Sequence, residues 1–226
     1  MKRILFFVLP LILIHSLVKA QQATGADSIT RRIILIGDAG QLTNGRHPVV
    51  DAARALIPLD EKTTVLFLGD NLYKQGLPDA EYSTYLSSRA VLDSQLSLVN
   101  GTRAQLWMIP GNHDWENGGR GGFNAILRQQ LYVTFQAFRN PNLHFEPQEG
   151  CPGPVEVQVD DNVTLILFDS QWFLHPYDKP EIESDCNCKT TDEVTKQIGD
   201  IAARNAKKLV VLAKSLSHNQ MRSKKI

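Results

Sequence analysis

The sequence contains no apolar run long enough to span a bilayer, which takes roughly 20 consecutive apolar residues. Its longest apolar stretch, residues 4–17, follows a basic start and precedes Val18-Lys19-Ala20, which has small residues at both cleavage-site positions. This is the pattern of a secretory signal peptide. An uncleaved anchor is the alternative, and Pro10 and His15 weaken it. The sequence therefore predicts a cleaved signal peptide at residues 1–20, an exported (periplasmic or secreted) protein, and no membrane span after cleavage.

The sequence also has no excess of either charge, with 24 basic and 24 acidic residues. Cleavage after residue 20 would remove Lys2, Arg3 and Lys19, which leaves 21 basic residues against 24 acidic ones and a net charge of about −3. Such a chain lacks the cationic surface that binding to nucleic-acid phosphates requires, so a nucleic acid is not expected as a dedicated partner. The remaining residues suffice for one domain with a substantial core.

Cysteine is scarce, with three residues in the chain: Cys151, Cys186 and Cys188. Metal binding by Cys186-Asn187-Cys188 would need a second cluster of ligands, which the sequence lacks. Because exported proteins meet an oxidising compartment, we expect a disulfide from Cys151 to either Cys186 or Cys188, with one thiol left over.

Neither repeats nor a coiled-coil pattern is present, and strand and helix signals alternate instead. Helical spacing of apolar residues predicts helices over residues 47–57, 79–99 (with Asp79 as its cap), 123–138 and 191–206. Apolar runs predict strands over residues 32–36, 63–68, 104–109 and 208–213, and a hairpin of residues 155–159 and 163–168. This order indicates an α/β fold with a mixed sheet flanked by helices, in one domain over residues 31–213. Residues 21–30 are expected to form a flexible lead-in, and residues 214–226 a basic tail.

Three clusters of metal-binding residue types follow the first three predicted strands. They are Gly37-Asp38-Ala39-Gly40, Gly69-Asp70-Asn71-Leu72-Tyr73 and Gly111-Asn112-His113-Asp114. A single Asp or Asn after a strand usually caps a turn. Ligands, however, collect at the carboxyl ends of strands in α/β sheets, and glycines allow these loops to turn sharply. Three such clusters in succession therefore favour a metal site.

The three clusters resemble the motif blocks of the calcineurin-like metallophosphoesterases, and more closely those of the purple acid phosphatase-like branch. The resemblance covers roughly residues 32–212. It implies an αββα sandwich, in which two facing mixed sheets are flanked by helices. It also implies two divalent or mixed-valence metal ions (iron, zinc or manganese) and a phosphate-ester substrate, hydrolysed by in-line attack of a metal-bound hydroxide.

The resemblance assigns a metal-binding role to four residues. Asp70, in the central block, is expected to bridge the two metals. Asp38 would bind the first metal, and Asn112 would bind the second through its carboxamide oxygen. Tyr73 matches the position of the tyrosinate ligand in purple acid phosphatases; simple packing on the loop is the alternative interpretation.

Two further residues of the third block are expected to serve catalysis. His113 is one position beyond a ligand, and the resemblance implies that it contacts the phosphate and helps to protonate the leaving group. Asp114 is expected to orient the His113 imidazole. His175 follows the strand predicted over residues 163–168, but it matches no ligand block of the family.

Two later histidine-bearing blocks of the family have no counterpart in the sequence. Where the family places a histidine after the last predicted strand, this chain has Lys214, whose ammonium group would repel metal ions, and His218 lies four residues later. We expect that the tail arose by a frameshift or premature stop, and that metal affinity, solubility and activity are impaired. The alternatives are an inactive pseudo-phosphatase fragment that binds phosphate or a protein, and, among enzymes, a phosphodiesterase or nucleotidase.

Overall fold

The computed structural model of the protein describes residues 29–214. The predicted signal peptide, all but the end of the lead-in and all but the first residue of the basic tail lie outside the described residues. The helices are α1 (Pro48–Leu56), α2 (Tyr85–Leu96), α3 (Gly122–Ala137) and α4 (Thr191–Arg204). The strands are β1 (Arg32–Ile36), β2 (Thr63–Leu68), β3 (Gln105–Ile109), β4 (Leu143–Phe145), β5 (Val155–Gln158), β6 (Val163–Leu167) and β7 (Leu209–Ala213). In this part of the chain, none of the helices has the length and apolarity needed to cross a membrane.

The described strands form two sheets. The first has the order β1-β2-β3-β4, and all its strands are parallel. The second has the order β5-β6-β7, with β5 antiparallel to β6 and β7 parallel to it. The strands expected from the sequence are confirmed to within two residues. Strand β4 was not expected, because three residues are too short to show a periodic pattern.

Two apolar clusters hold the layers together. One lies between the first sheet and helices α1 to α3, and Phe67, Leu92 and Ile126 are fully buried in it. The other lies between the two sheets, where Leu66 and Ile109 pack with Leu165 and its neighbours. Full burial of each such side chain stabilises the fold by about 1.5–3 kcal/mol. Two sheets with helices outside them are the expected metallophosphoesterase arrangement, with the difference that the first sheet is parallel rather than mixed.

Helix α2 begins six residues later than the sequence pattern indicated. Residues 79–84 form consecutive turns instead, in which the Tyr82 N–H donates to the Asp79 carbonyl and the Tyr85 N–H donates to the Tyr82 carbonyl, both at 3.0 Å. All six residues are exposed, so a helix there would bury no apolar face, and tertiary packing is what sustains most helices in proteins. Asp79 is therefore not a helix cap.

The structure decides which cysteines pair. Cys151 is bonded to Cys186, and Cys188 is a free, buried thiol that donates to Gln197 Oε1 at 2.6 Å. Burial raises the pKa of the Cys188 thiol, so it stays protonated at neutral pH. The disulfide links residues 35 positions apart, and a closed loop of that length stabilises the fold by about 4 kcal/mol in the chain-entropy account.

Candidate metal centre

Parallel pairing brings the ends of β1, β2 and β3 to one edge of the first sheet. Ile36 lies beside Phe67, and Leu68 lies beside Ile109, so the three motif loops leave the sheet side by side. The Asp38 N–H donates to the Gly69 carbonyl at 3.3 Å, which joins the first loop to the second. The convergence expected from the sequence is therefore present in the structure.

Asp38 and Asp70 share an unusual backbone conformation at the start of their loops. Asp38 and Asp70 have φ values of 55° and 52°, in the left-handed region that Asp tolerates better than most residues. Gly111 allows the third loop to approach Asp70, because a Cβ on Gly111 would lie 2.3 Å from the Asp70 nitrogen and 2.4 Å from Asp70 Oδ1. Strained residues of this kind concentrate at functional sites.

Asp70 is buried among other acidic groups, and this raises the pKa values at the site. Its carboxylate is largely buried, and burial raises its pKa; the neighbouring Asp38 carboxylate raises it further, while the His113 N–H, which donates to Asp70 Oδ1 at 3.1 Å, opposes the shift. The Tyr73 hydroxyl donates to Asp38 Oδ1 at 2.8 Å, and burial followed by Asp38 raises the Tyr73 pKa. The Asp70 carboxyl and the Tyr73 phenol thus both have raised pKa values, and a cation bound beside them would favour their ionised forms.

Asn112 supplies the observation that best fits a metal. Its side chain is buried, and its Nδ2 donates to Asn117 Oδ1 at 3.1 Å. Its Oδ1 is buried and has no hydrogen-bond partner among the described residues. An unpaired buried oxygen costs about 1–3 kcal/mol, and a bound cation would satisfy it. Asp38, Asp70, Tyr73 and Asn112 thus offer oxygen donors of the kind that hard metal ions bind.

A family model described as calcineurin-like phosphoesterase matches residues 31–211. The chain belongs to this family. No curated protein matches the sequence. The family carries out metal-dependent hydrolysis of phosphoesters and generally binds divalent metals. In residues 29–214 no three His, Cys, Asp or Glu side chains come together as a metal-holding group, so a centre built from the described candidates would also need the amide of Asn112 and the phenol of Tyr73.

In this calcineurin-like phosphoesterase, His113 lies beside the metal-binding candidates. Its ring contacts that of Tyr73 edge to face, with centroids 4.6 Å apart. Its Nδ1 lies 2.7 Å from the Lys74 carbonyl, so Nδ1 carries the proton and donates it to that oxygen. The hydrogen bond fixes the tautomer and leaves Nε2 available to a substrate.

Asp114 has a different role from the one expected. It is fully buried and makes no hydrogen bond to His113. Instead its carboxylate accepts hydrogen bonds from the backbone N–H groups of Gly111 (2.7 Å), Asn71 (3.1 Å) and Leu72 (3.1 Å). Burial raises the Asp114 pKa to about 7, although these hydrogen bonds oppose the shift. Asp114 therefore ties the second motif loop to the third, and the Lys74 carbonyl, not Asp114, orients His113.

Gln95, which the motifs did not reveal, ties the first loop to the second. It lies on α2 and is fully buried. Its Nε2 donates to the carbonyls of Ala39 (2.7 Å) and Asn71 (2.9 Å), the residues that follow Asp38 and Asp70. The helical pattern of α2 places position 95 on the buried face. A glutamine at a buried position was the one sign in the sequence that this residue bonds other parts of the chain.

We expect Gln95→Leu to weaken metal binding by about 10- to 100-fold, as is typical when an outer-shell partner is lost. The buried Asn71 carbonyl would lose its side-chain donor, the Ala39 carbonyl would keep only the His47 Nε2–H, and the loops that carry the two aspartates would lose their shared contact. The measurement is metal affinity by equilibrium titration, with the thermal unfolding of the metal-free protein as a second readout. Gln105→Leu is the matched control, since Gln105 bonds the side chains of Asn142 and His144 away from the motif loops. Equal metal affinities for the two variants would contradict the assignment.

A second buried acid, which was not predicted from the sequence, lies two residues beyond the end of strand β6. Asp169 is fully buried; it accepts hydrogen bonds from Trp115 Nε1 at 2.6 Å and from the Gln171 N–H at 2.8 Å. Burial raises its pKa to about 7. The bond to Trp115, the residue after the third block, anchors that loop to the second sheet. Its position directly beyond a predicted strand was the signal available in the sequence.

His175 reaches the same region without joining the candidate ligands. Its ring packs on that of Trp115, with centroids 4.6 Å apart, and burial lowers its pKa. Neither ring nitrogen has a hydrogen-bond partner among residues 29–214. Gly122 lies against the same ring, since a Cβ there would be 2.7 Å from His175 Cε1. His175 therefore supports the third block by packing behind Trp115.

Proposed function

We propose that the protein hydrolyses phosphate esters at a dinuclear metal centre held by Asp38, Asp70, Tyr73 and Asn112, in the manner of the purple acid phosphatase-like branch. The observation that carries this proposal is the unpaired, buried Oδ1 of Asn112, one loop away from the paired carboxyl groups of Asp38 and Asp70. Two bound metal ions would lower the pKa of a water molecule and offset charge on the phosphoryl oxygens.

Other residues of the chain would bind the phosphoryl group, protonate the leaving oxygen and hold the loops in place. The His113 Nδ1–H is held by the Lys74 carbonyl, so Nε2 is the nitrogen that hydrogen-bonds the phosphoryl group and, when protonated, passes its proton to the leaving oxygen. The water oxygen joins phosphorus as the bond to the leaving alcohol breaks. Asp114 and Gln95 keep the three loops in register, which matters because misplacement by about 1 Å costs roughly 100-fold in rate.

The main alternative is a protein that binds phosphate without turnover. Two features favour it: no three His, Cys, Asp or Glu side chains converge in residues 29–214, and Lys214 follows β7 where the family has a histidine. A phosphodiesterase or nucleotidase is the alternative among enzymes, and substrate choice in that case depends on the clefts around the centre.

Metal content and turnover measured on the same sample test the proposal. Protein incubated with iron, zinc or manganese is desalted, its metal per chain is measured by elemental analysis, and hydrolysis of p-nitrophenyl phosphate is followed. We expect bound metal and a hydrolysis rate that chelation abolishes, below the roughly 1–1000 per second of typical enzymes. Phosphate binding with no metal-dependent hydrolysis would favour the alternative.

Tyr73→Phe tests the assignment to the purple acid phosphatase-like branch. If the Tyr73 phenolate binds iron, the iron-loaded protein should show a visible tyrosinate-to-iron absorption band, and Tyr73→Phe should abolish it. Tyr132→Phe is the control, because Tyr132 donates to Asp93 on α2 and not to a residue of the motif loops. An unchanged band in Tyr73→Phe, or no band in iron-loaded protein, would exclude Tyr73 as a ligand.

We also propose that the protein is exported. The Cys151–Cys186 disulfide supports this, because such bonds persist in oxidising compartments. The proposed signal peptide adds a second reason.

A further inference from the structure

A cleft with a volume of about 490 Å³ opens beside the candidate metal centre. Tyr73 and Lys74 form part of its lining. The Tyr73 hydroxyl bonds Asp38, and the Lys74 carbonyl accepts from His113, so both residues also touch the site of the proposed reaction. A phosphate ester that reacts there has this cleft within reach of its leaving group.

Most side chains along the cleft are hydrogen-bonding rather than apolar. They include Gln75, Thr84, Ser87, Ser88 and Asn124. A lining of hydroxyl and amide groups suits a hydroxyl-rich leaving group, because each polar atom of the ligand can replace the water it loses.

Arg128 indicates that the ligand of this cleft carries a negative charge. It lies on α3, lines the cleft and is half-buried, and its Nε donates to the Leu77 carbonyl at 2.8 Å, which fixes the guanidinium plane. Within residues 29–214, neither Arg128 nor the exposed Lys74 forms an ion pair with a carboxylate. A positioned guanidinium without a carboxylate partner suits two-pronged binding of phosphate or carboxylate.

Two acids line the same cleft and limit what it attracts. Glu116 Oε2 accepts a hydrogen bond from the Gly121 N–H at 2.7 Å, and Asp79 is exposed. Together they balance the formal charge of Lys74 and Arg128. An anion is therefore favoured only where it can reach the guanidinium directly, which makes the cleft selective for ligand shape as well as for charge.

We propose that this cleft binds the leaving-group part of a phosphate ester that carries a second phosphate or carboxylate, with Arg128 and Lys74 as the cationic partners of that second group. The proposal rests on the proposed function for the position of the reacting phosphate. In the reaction, the ester P–O bond breaks, water supplies the new P–O bond and a proton, and the second anion is unchanged.

Matched ligand pairs test the proposal on the metal-loaded protein. Fructose 1,6-bisphosphate and fructose 6-phosphate differ by one phosphate, and 3-phosphoglycerate and glycerol 3-phosphate differ by a carboxylate. We expect about a tenfold or greater preference, in both kcat/KM and dissociation constant, for the member with the second anion in at least one pair, the size that a charge-assisted bidentate contact gives. The pair that responds tells phosphate from carboxylate.

Variants assign the preference to Arg128. Arg128→Gln should bring the ratio of kcat/KM values within a ligand pair close to one. Arg128→Lys should restore part of that ratio, because lysine returns the positive charge but cannot make the two parallel hydrogen bonds of a guanidinium. Lys74→Gln, at an exposed position, should lower the ratio by about threefold and remains available if Arg128→Gln does not fold. Arg139→Gln is the control: it is an exposed arginine beyond the end of α3 that does not line this cleft, and it should leave the ratio unchanged.

The two proposals fail in different ways. Hydrolysis of all four esters without preference, or a preference that survives Arg128→Gln, would overturn the cleft assignment and leave the proposed function intact. Arg128-dependent binding of a doubly anionic ligand, without hydrolysis of any ester, would support the cleft assignment and contradict the proposed function.

Discussion

Asp70→Asn is expected to lower metal affinity by at least about 100-fold and to reduce phosphate-ester hydrolysis below detection. Asp70 is the carboxylate placed between the other two motif loops: it lies beside Asp38, and its Oδ1 accepts from the His113 N–H. An amide in its place keeps one oxygen for that hydrogen bond but loses the charge and the second oxygen that a bridging ligand needs.

The metal-free protein should not be destabilised by this change. Burial raises the pKa of Asp70, so in the folded state its ionised form costs stability, and that cost increases as pH rises above the normal range of an aspartate. Asn removes the buried charge and also tolerates the left-handed backbone. Metal content by elemental analysis and the melting temperature are therefore measured together, with the exposed Asp200→Asn as control. Equal metal retention by Asp70→Asn and the unmodified chain would refute the bridging role.

Gly111→Ala is expected to disable the site by a different route, through packing. The added Cβ would lie 2.3 Å from the Asp70 nitrogen and 3.0 Å from the Gly69 carbonyl carbon, and backbone atoms cannot turn aside. The third loop must then move away from the second. We expect a loss of roughly 100-fold or more in hydrolysis and a cost of about 1–3 kcal/mol in stability.

Gly199→Ala is the matched control for this substitution. Gly199 lies within α4, where an added Cβ meets nothing within 4 Å, so alanine should stabilise the helix by about 0.5–1 kcal/mol and leave hydrolysis unchanged. Thermal unfolding and p-nitrophenyl phosphate hydrolysis are compared for both variants. If Gly111→Ala retained the stability and hydrolysis of the unmodified chain, the close approach of the two loops would not be needed for function.

Much of the fold followed from local patterns. Helices α1, α3 and α4 have apolar residues at helical spacing, and the longer strands are short apolar runs between turn residues, so their positions were predicted to within two residues. Helix α2 was the exception in its start, because residues 79–84 have helix-compatible side chains but no buried face. The helix propensity of a segment does not show whether the folded protein offers it a surface to pack against.

The candidate site was predicted as a set of residues but not as a network. Asp38, Asp70, Asn112 and His113 were visible because glycine-flanked polar residues after strands stand out in a sequence. The residues that hold these loops in place were not visible. Gln95, for example, bonds the first two loops from a helix, about 25 residues beyond Asp70 in the sequence. A hydrogen bond between residues distant in the chain leaves no local pattern.

The sequence by itself determined the alternation of strands and helices, the three motif loops and the family, since these depend on the order and spacing of residue types. Only the tertiary structure decided that Cys151 pairs with Cys186 rather than Cys188, and that Asp114 binds backbone N–H groups while the Lys74 carbonyl holds His113. Each of these outcomes depends on distances and burial that neighbouring residues do not encode. The hydrogen bonds of Asp114 and His113 arise because parallel strands bring the second and third motif loops to the same edge of a sheet.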